Sequence, residues 1–459
     1  MTATNIPFQS AGSIDIQEVV IFTDEGKFLD VKDFIAELNI YEDLYAPFLQ
    51  GVFILADSRN LVKEFPIVGE EYFYIKMKTP NTDSFIEKMF RIYSVTDREV
   101  VKDRNTQIYN LNFISVEAVV NTFKPIFKTF EGQISEIVKT IFDDYIQVKR
   151  APIKNNNKFE FTDNETKLNV LSDTSNSVKF VSPGWTPFKC INWCVSKSIP
   201  KIGKACNFVF YESNKSFNYV NLETIFRYNT ETKGGLSIGN YVYNVNQLDK
   251  NKNPISKLFN VEEFQILKNV DHLTNYDNGY LANRLITLDV INKVYRATDY
   301  DAVEEYNNFN HMEESPRPIF ARNPVRTSLS NIKFAPVHPG LFENFKNNVN
   351  ESYHESYGNR KSNMMELQNL KLNLVVPGRT DVEVGTMLNF IFPDISPKSE
   401  KDKSLPAGDK YYSGNYLITA IRHKINLQTH FMSMEVTKDS LKQADETWIY
   451  LIKMVLFGL

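Results

Sequence analysis

Apolar and polar residues alternate along much of this chain, most regularly between Leu370 and Thr437. Leu370, Leu372 and Leu374 alternate with Lys371 and Asn373 until Pro377-Gly378 breaks the run. A second run, Met387 to Phe392, follows Val384-Gly385 and stops at Pro393-Asp394. Tyr416 to Ile421 follows Gly414, and Phe431 to Val436 completes the set. A period of two, bounded by Gly, Pro and Asp, predicts antiparallel strands with one buried face. The polar stretch Ser396 to Lys410 predicts an exposed loop between the middle strands.

The same grammar occurs near the N-terminus. Val68-Gly69 precedes Tyr72 to Met77, and Phe90 to Val95 and Tyr109 to Ser115 follow. Upstream, Phe34 to Asp57 reads as a strand, an acidic turn at Glu42-Asp43, and a second strand from Gly51 to Asp57. Phe264 to Asp289 reads in parallel, with Leu285 to Asp289 matched to Gly51 to Asp57. Agreement in order as well as composition predicts two copies of one β-barrel. The first spans 14–116. The second is split into 260–292 and 370–440 by an insertion, 293–369.

Between the copies the period changes. Ile134, Ile137, Val138, Ile141 and Phe142 fall on one helical face. A second helix is expected to begin after Trp185-Thr186-Pro187, with Phe188, Ile191, Asn192, Val195 and Ile199 on its face and Pro200 ending it. Asn155 to Asn176 predicts a loop or a weak strand pair. Cys206 to Glu212 and Phe217 to Val220 predict a hairpin. Residues 117–259 and 293–369 are therefore assigned to one mixed α+β domain, with 229–258 as a long loop or linker. Asp299 to Arg326 is acidic and then Pro-rich, and a polar helix is expected over 340–369. A short helix is expected over Ser58 to Phe65, capped by Ser58. Residues 1–13 read as an irregular leader without the apolar core of a signal peptide. The fold class is mainly β with some α: two similar antiparallel barrels, the second discontinuous, plus the mixed domain.

Composition narrows the chemistry. At 459 residues the chain has room for about three domains. Its net charge of −4 offers no global basic field for nucleic acid or anionic membrane. Aromatic residues make up 13%, which suits strands and interfaces. No apolar run reaches the about 18 residues of a membrane span. Cys190, Cys194 and Cys206 make no disulfide framework and lack a fourth ligand for a metal. The histidines, His423 and His430 included, show no metal-ligand spacing, and these two read as surface residues at strand ends. Asp143-Asp144 and Glu304-Glu305 sit at expected helix ends, where capping or solvation accounts for them. No nucleophile elbow or phosphate loop occurs, so no catalytic, cofactor or metal residues are assigned. The final stretch, 441–459, is an apolar tail. Its Trp448, Ile449, Tyr450, Leu451, Ile452, Met454, Val455, Leu456 and Phe457 are expected to be buried against a partner or the protein itself.

In its organisation the chain resembles the baseplate central hub proteins of contractile-tailed bacteriophages of the T-even type. The resemblance lies in the order of segments: a first barrel, a mixed domain, and a second barrel split by an insertion. Trp185 to Phe188 through Phe208 to Tyr211 resembles the helix-then-strand segment of the mixed domain. Glu351 to Phe392 resembles the segment from a polar helix through a Pro-Gly turn into a strand, and Tyr416 to His423 a strand beside the subunit interface. The 229–258 loop, the Pro-rich insertion and the apolar tail depart from it. The resemblance implies a structural subunit of the virion tail, assembled in the host cytoplasm. It implies a homotrimeric ring joining a tail tube, or tube-initiator proteins, to a central spike among neighbouring baseplate proteins. DNA would pass through the lumen. The alternative readings are a tail-associated cell-wall glycan hydrolase and a carbohydrate-binding module.

Overall fold

The computed structural model describes residues 11–441, except 81, 102–105, 149–150, 156–157, 163–165, 232–236, 244–255, 270, 291–292, 314–330, 338–348, 393–408 and 410–411. The first strand set comprises β1 (Asp15–Phe22), β2 (Phe28–Asp30), β3 (Ile35–Asp43), β4 (Gln50–Asp57), β5 (Tyr72–Lys78), β6 (Phe85–Val101) and β7 (Thr106–Ser115). Their order across the sheet is β1-β5-β6-β7-β4-β3, with every neighbour antiparallel. β2 folds back on β1, so the segment 28–43 touches β1 at its start and β4 at its end. The inward residues of the alternating pattern make the core. Phe73 lies 5.2 Å from Phe53 and 4.9 Å from Phe113, and Phe90 lies 4.7 Å from Phe113. Each such ring contributes about 1.5–3 kcal/mol by leaving water. The short helix is confined to Leu61–Glu64. Asp57, not Ser58, serves its start: buried at the end of β4, its carboxylate accepts the N–H of Arg59 (3.0 Å) and Leu61 (2.8 Å).

The mixed region follows with α1 (Val116–Phe123), α2 (Ile134–Ile141), α3 (Pro187–Lys197), β8 (Phe208–Glu212), β9 (Phe217–Asn221) and α4 (Leu222–Glu231). Pro187 occupies the first turn of α3, where its missing N–H costs nothing. Cys194 completes the buried face of α3, and Asn192 points to solvent instead. The β8–β9 hairpin is buried on both sides, and its alternation divides it between two cores. Phe208, Phe210, Phe217 and Tyr219 pack with α2 and α3. Val209, Tyr211 and Val220 join the core of the second strand set. The Asn-rich stretch holds a small antiparallel pair, 151–155 with 158–162, and a short strand, Leu168–Val170, running parallel to β9.

The second set contains β10 (Ser237–Tyr243), β11 (Asn260–Val261) and β12 (Glu263–Asn269). The chain then leaves the main sheet. β13 (Ala282–Asp289) pairs with β14 (Val294–Asp301) and β15 (Asn331–Val337) in a separate sheet. The polar helix α5 (Val349–Glu366) lies against that sheet. There His354 sits 3.2 Å from both Thr287 and Thr298, and Ser362 donates to the Tyr280 carbonyl at 2.8 Å. β16 (Leu370–Pro377), β17 (Met387–Ile391), β18 (Gly414–Ile425) and β19 (His430–Lys438) complete the set in the order β10-β17-β18-β19-β16-β12. Two expectations change. Ser237–Tyr243 is a strand, although it falls in the expected loop. Leu285 to Asp289 belongs to the insertion's sheet, and the strand in the place of β4 is Leu370–Pro377. Asn- and Gly-rich surroundings hide the first. In the second, a short alternating run gives no sign of which sheet it joins.

With that correction the two sets correspond strand for strand. The lead-in glycines before β5 and β17 agree as well, Gly69 at φ +95° and Gly385 at φ +79°, the left-handed region glycine enters freely. The molecule is mainly β, built on large antiparallel sheets, and the two sets share one 14-stranded sheet.

Candidate assembly interface

β18 joins the two strand sets. Its first residues, Gly414 to Leu417, pair with β17. After a bulge between Ile418 and Ala420, the same edge passes to β3, with Ala420 to Ile425 opposite Asp43 to Leu38. The cores interlock across this joint: Ile425 packs in the first core and Leu44 in the second. Outside, Glu37 receives Arg422 at 3.3 Å and Lys424 at 3.2 Å. Burial would raise the Glu37 carboxyl, but the Asn39 hydrogen bond and these two cations outweigh it and hold the group below its usual range.

Inside the joint lies a buried polar chain. His423 Nε2 is 3.1 Å from Glu42 Oε1, and His423 Nδ1 is 3.0 Å from His430 Nε2. Glu42 Oε2 also accepts the N–H of Val384 at 3.3 Å. Both rings are fully buried, which corrects their assignment to the surface: the continuation of β18 onto β3 covers the strand ends. Burial, and then the neighbouring His423, push the His430 imidazole well below its ordinary pKa. A second contact between the sets is reciprocal: Thr79 N–H donates to Thr380 Oγ1 and Thr380 N–H to Thr79 Oγ1, both at 3.0 Å.

The mixed region is tied to the first set through Glu212 at the end of β8. Its carboxylate takes Lys88 Nζ at 2.8 Å, the Leu49 N–H at 2.9 Å and the Ser115 hydroxyl. Glu117 is buried nearby, bonded by Thr166 Oγ1 at 2.6 Å. Burial and the Glu212 charge lift Glu117 to about 6. These are structural networks joining three elements, and neither groups carboxylates around an open cleft. A cavity of about 10 Å³ between Glu366, His311 and Asp439 is water-sized. His311 Nδ1 lies 2.9 Å from Asp439 there. Burial alone would lower His311, but Asp439 dominates and raises it to about 9.

Cys190 and Cys194 lie within the α3 core, and Cys206 precedes β8, where burial pushes its thiol up to about 12. Among the described residues no group of His, Cys, Asp and Glu is placed to hold a metal. No described helix is long and apolar enough to cross a membrane. The expected partner residues Trp448 to Phe457 lie outside the described residues.

No family model matches the chain. It is 22% identical over 426 residues to a probable baseplate hub protein of Vibrio phage KVP40, covering 89% of this chain and 91% of that one. Its fold is shared with a 43 kDa tail protein of prophage MuSo2 from Shewanella oneidensis: TM-score 0.51, 9% identity, 92% of this chain and 99% of that chain covered. A tail protein from Neisseria meningitidis MC58 gives a TM-score of 0.50 at 9% identity, covering 92% and 96%. The sequence relationship spans about nine-tenths of both chains, and the fold is shared with tail proteins of a prophage and of Neisseria meningitidis. The chain is thus similar over most of its length to a probable baseplate hub protein of a bacteriophage, in line with its order of segments.

Proposed function

We propose that the chain is a structural subunit of a tail baseplate hub. Three copies form a ring that joins the tail tube to the central spike and lets DNA pass through its lumen. The observation that carries this reading is the doubled strand set, joined edge to edge through β18 and β3. Two equivalent units per chain, three times over, present six similar units on one side while keeping threefold symmetry on the other. Such a ring can seat a sixfold tube and a threefold spike, and cyclic closure repeats one contact without a free end. We take the domain division 14–116, 117–259 with 293–369, and 260–292 with 370–440 as the working description, moving 282–289 into the insertion. The partners are tube or tube-initiator proteins, the spike and neighbouring baseplate proteins, in the virion and during assembly in the host cytoplasm. The apolar run Trp448 to Phe457 is assigned to anchoring a partner. The reading includes no catalytic step.

Mass measurement in solution, with and without candidate tube and spike proteins, tests it. A trimer that binds both is expected. A chain that stays monomeric alone and in their presence would sink the proposal. Peptidoglycan cleavage abolished by one Glu or Asp substitution would favour the hydrolase instead.

A further inference from the structure

The joint between β18 and β3 is made once within the chain, yet the chain carries its two halves twice. β6 corresponds to β18, and β12 corresponds to β3. The ladders establish this residue by residue. Ile92 pairs with Phe113 and Ser94 with Asn112 across a bulge in β6; Ile418 pairs with Val436 and Ala420 with Glu435 across a bulge in β18. Phe113 and Val436 face Gly51 and Leu372 on their other side, and these face Ile40 and Ile266. Ile266 therefore stands where Ile40 stands, and Ser94 to Thr96 stand where Ala420 to Arg422 stand.

Among the described residues, the edge of β6 beyond Ile92 that corresponds to the β3-facing edge of β18 has no strand against it. The same is true of the β12 edge that corresponds to the β18-facing edge of β3. Both edges carry exposed apolar side chains among polar ones: Tyr93 is 54% and Val100 66% accessible, Ile266 40% and Leu267 48%. An open edge presents unpaired N–H and C=O groups, a template for pairing with another chain. The charges are kept on one side only. Glu263 faces Val375 as Glu37 faces Ile54, so it occupies the place of the carboxylate that holds Lys424 within the chain. On β6 a second bulge, between Thr96 and Glu99, puts Glu99, opposite Ile108, in the place of Lys424, opposite Phe431, so the pairing is carried by the backbone edges and the apolar residues.

We propose that β6 of one copy pairs antiparallel with β12 of the next, repeating between chains the joint that β18 and β3 make within one. The partner is a second copy of this chain, and the inference rests on the ring reading above, to which it adds the contacting residues. Arg422 faces Tyr41 and Ile421 faces Glu42 in the internal joint. The corresponding register sets Thr96 opposite Lys268 and Val95 opposite Asn269, with Leu267 bulged. Because the two edges differ, the contact is head-to-tail, and it closes into a ring when the rotation per copy divides a full turn.

Thr96→Cys and Lys268→Cys prepared separately, then mixed and oxidised under native conditions, test the register. The three native cysteines are buried, and unsubstituted protein controls for them. The expected result is a disulfide dimer in the mixture and in neither variant alone, and a covalent ladder up to ring size from the double variant. Val95→Lys with Ile266→Lys should abolish the assembled species while leaving the monomer's melting temperature nearly unchanged, since both residues are exposed. An assembled species that does not cross-link, and that survives both lysines, overturns the edge pairing and leaves the ring reading standing. A chain that never assembles, alone or with tube and spike proteins, overturns both.

Discussion

The two strand sets share spatial and chain order, lead-in glycines and a bulge in their longest strand, yet differ in the direction of one strand. β1 is antiparallel to β5 and β2, whereas β10 is parallel to β17 and β11. The reversal has a topological consequence. Antiparallel β1 and β2 are joined by a tight turn at 23–27, while parallel strands need a crossover of about a dozen residues or more. The long stretch at 244–259 is therefore a requirement of the second set's topology. The first set is nearly continuous in sequence; the second admits a three-stranded sheet and a long helix before β16. What both preserve is the core face and the edge that makes the joint. Strand direction can change at the periphery because side-chain alternation, not chain direction, decides which residues enter the core.

The largest effect should come from the buried Lys88–Glu212 pair that ties the first set to the mixed region. Glu212→Ala strands the Lys88 charge and removes the partner of Leu49 N–H, a loss of about 3–5 kcal/mol read by denaturant unfolding. Glu435→Ala, whose Lys371 partner is partly solvated, should cost about 1 kcal/mol or less. A similar loss from both would dissolve this distinction.

Next come the cores. Phe53→Ala in the first set and Phe390→Ala in the second should each cost about 3–5 kcal/mol. Because Ile425 and Leu44 interlock the cores, both variants should unfold in one calorimetric transition. Two separated transitions would show the sets to be independent.

The histidines give a pH test. His430 has a depressed pKa, so the unfolded chain binds more protons and stability falls as pH drops below about 6.5, by up to about 1.4 kcal/mol per unit. His311, raised to about 9, stabilises fully below about 6.5 and loses that contribution as pH climbs through 9. Melting temperature against pH should flatten on the acid side in His430→Asn and on the alkaline side in His311→Asn.

The smallest difference concerns the lead-in glycines. Gly69→Ala meets nothing closer than 3.6 Å and should cost about 1 kcal/mol of backbone strain. Gly385→Ala should cost more, since an added Cβ would lie 2.1 Å from the Tyr211 hydroxyl. Equal losses would mean that Tyr211 moves aside freely.

Strand existence, helix faces and the doubling were legible because they are local: Leu370, Leu372 and Leu374 alternate whatever surrounds them, and Ile134, Ile137, Val138 and Ile141 recur at helical spacing. The order of the last three strands in each set could be read for the same reason. Partnership could not. Leu285 to Asp289 alternates as well as any barrel strand, and only the ladder with β14 and β15 puts it in another sheet. Tyr241, buried in the second core, sits among Asn and Gly that suggest a loop. His423 and His430 look like strand-end surface residues until β3 arrives from about 380 positions away and buries them with Glu42. The sequence by itself determined periodicity, and so which residues of each element face inward. The tertiary structure decided which edges meet, because a backbone edge offers the same N–H and C=O groups whatever its side chains, and only the assembled sheet selects the strand that fills it.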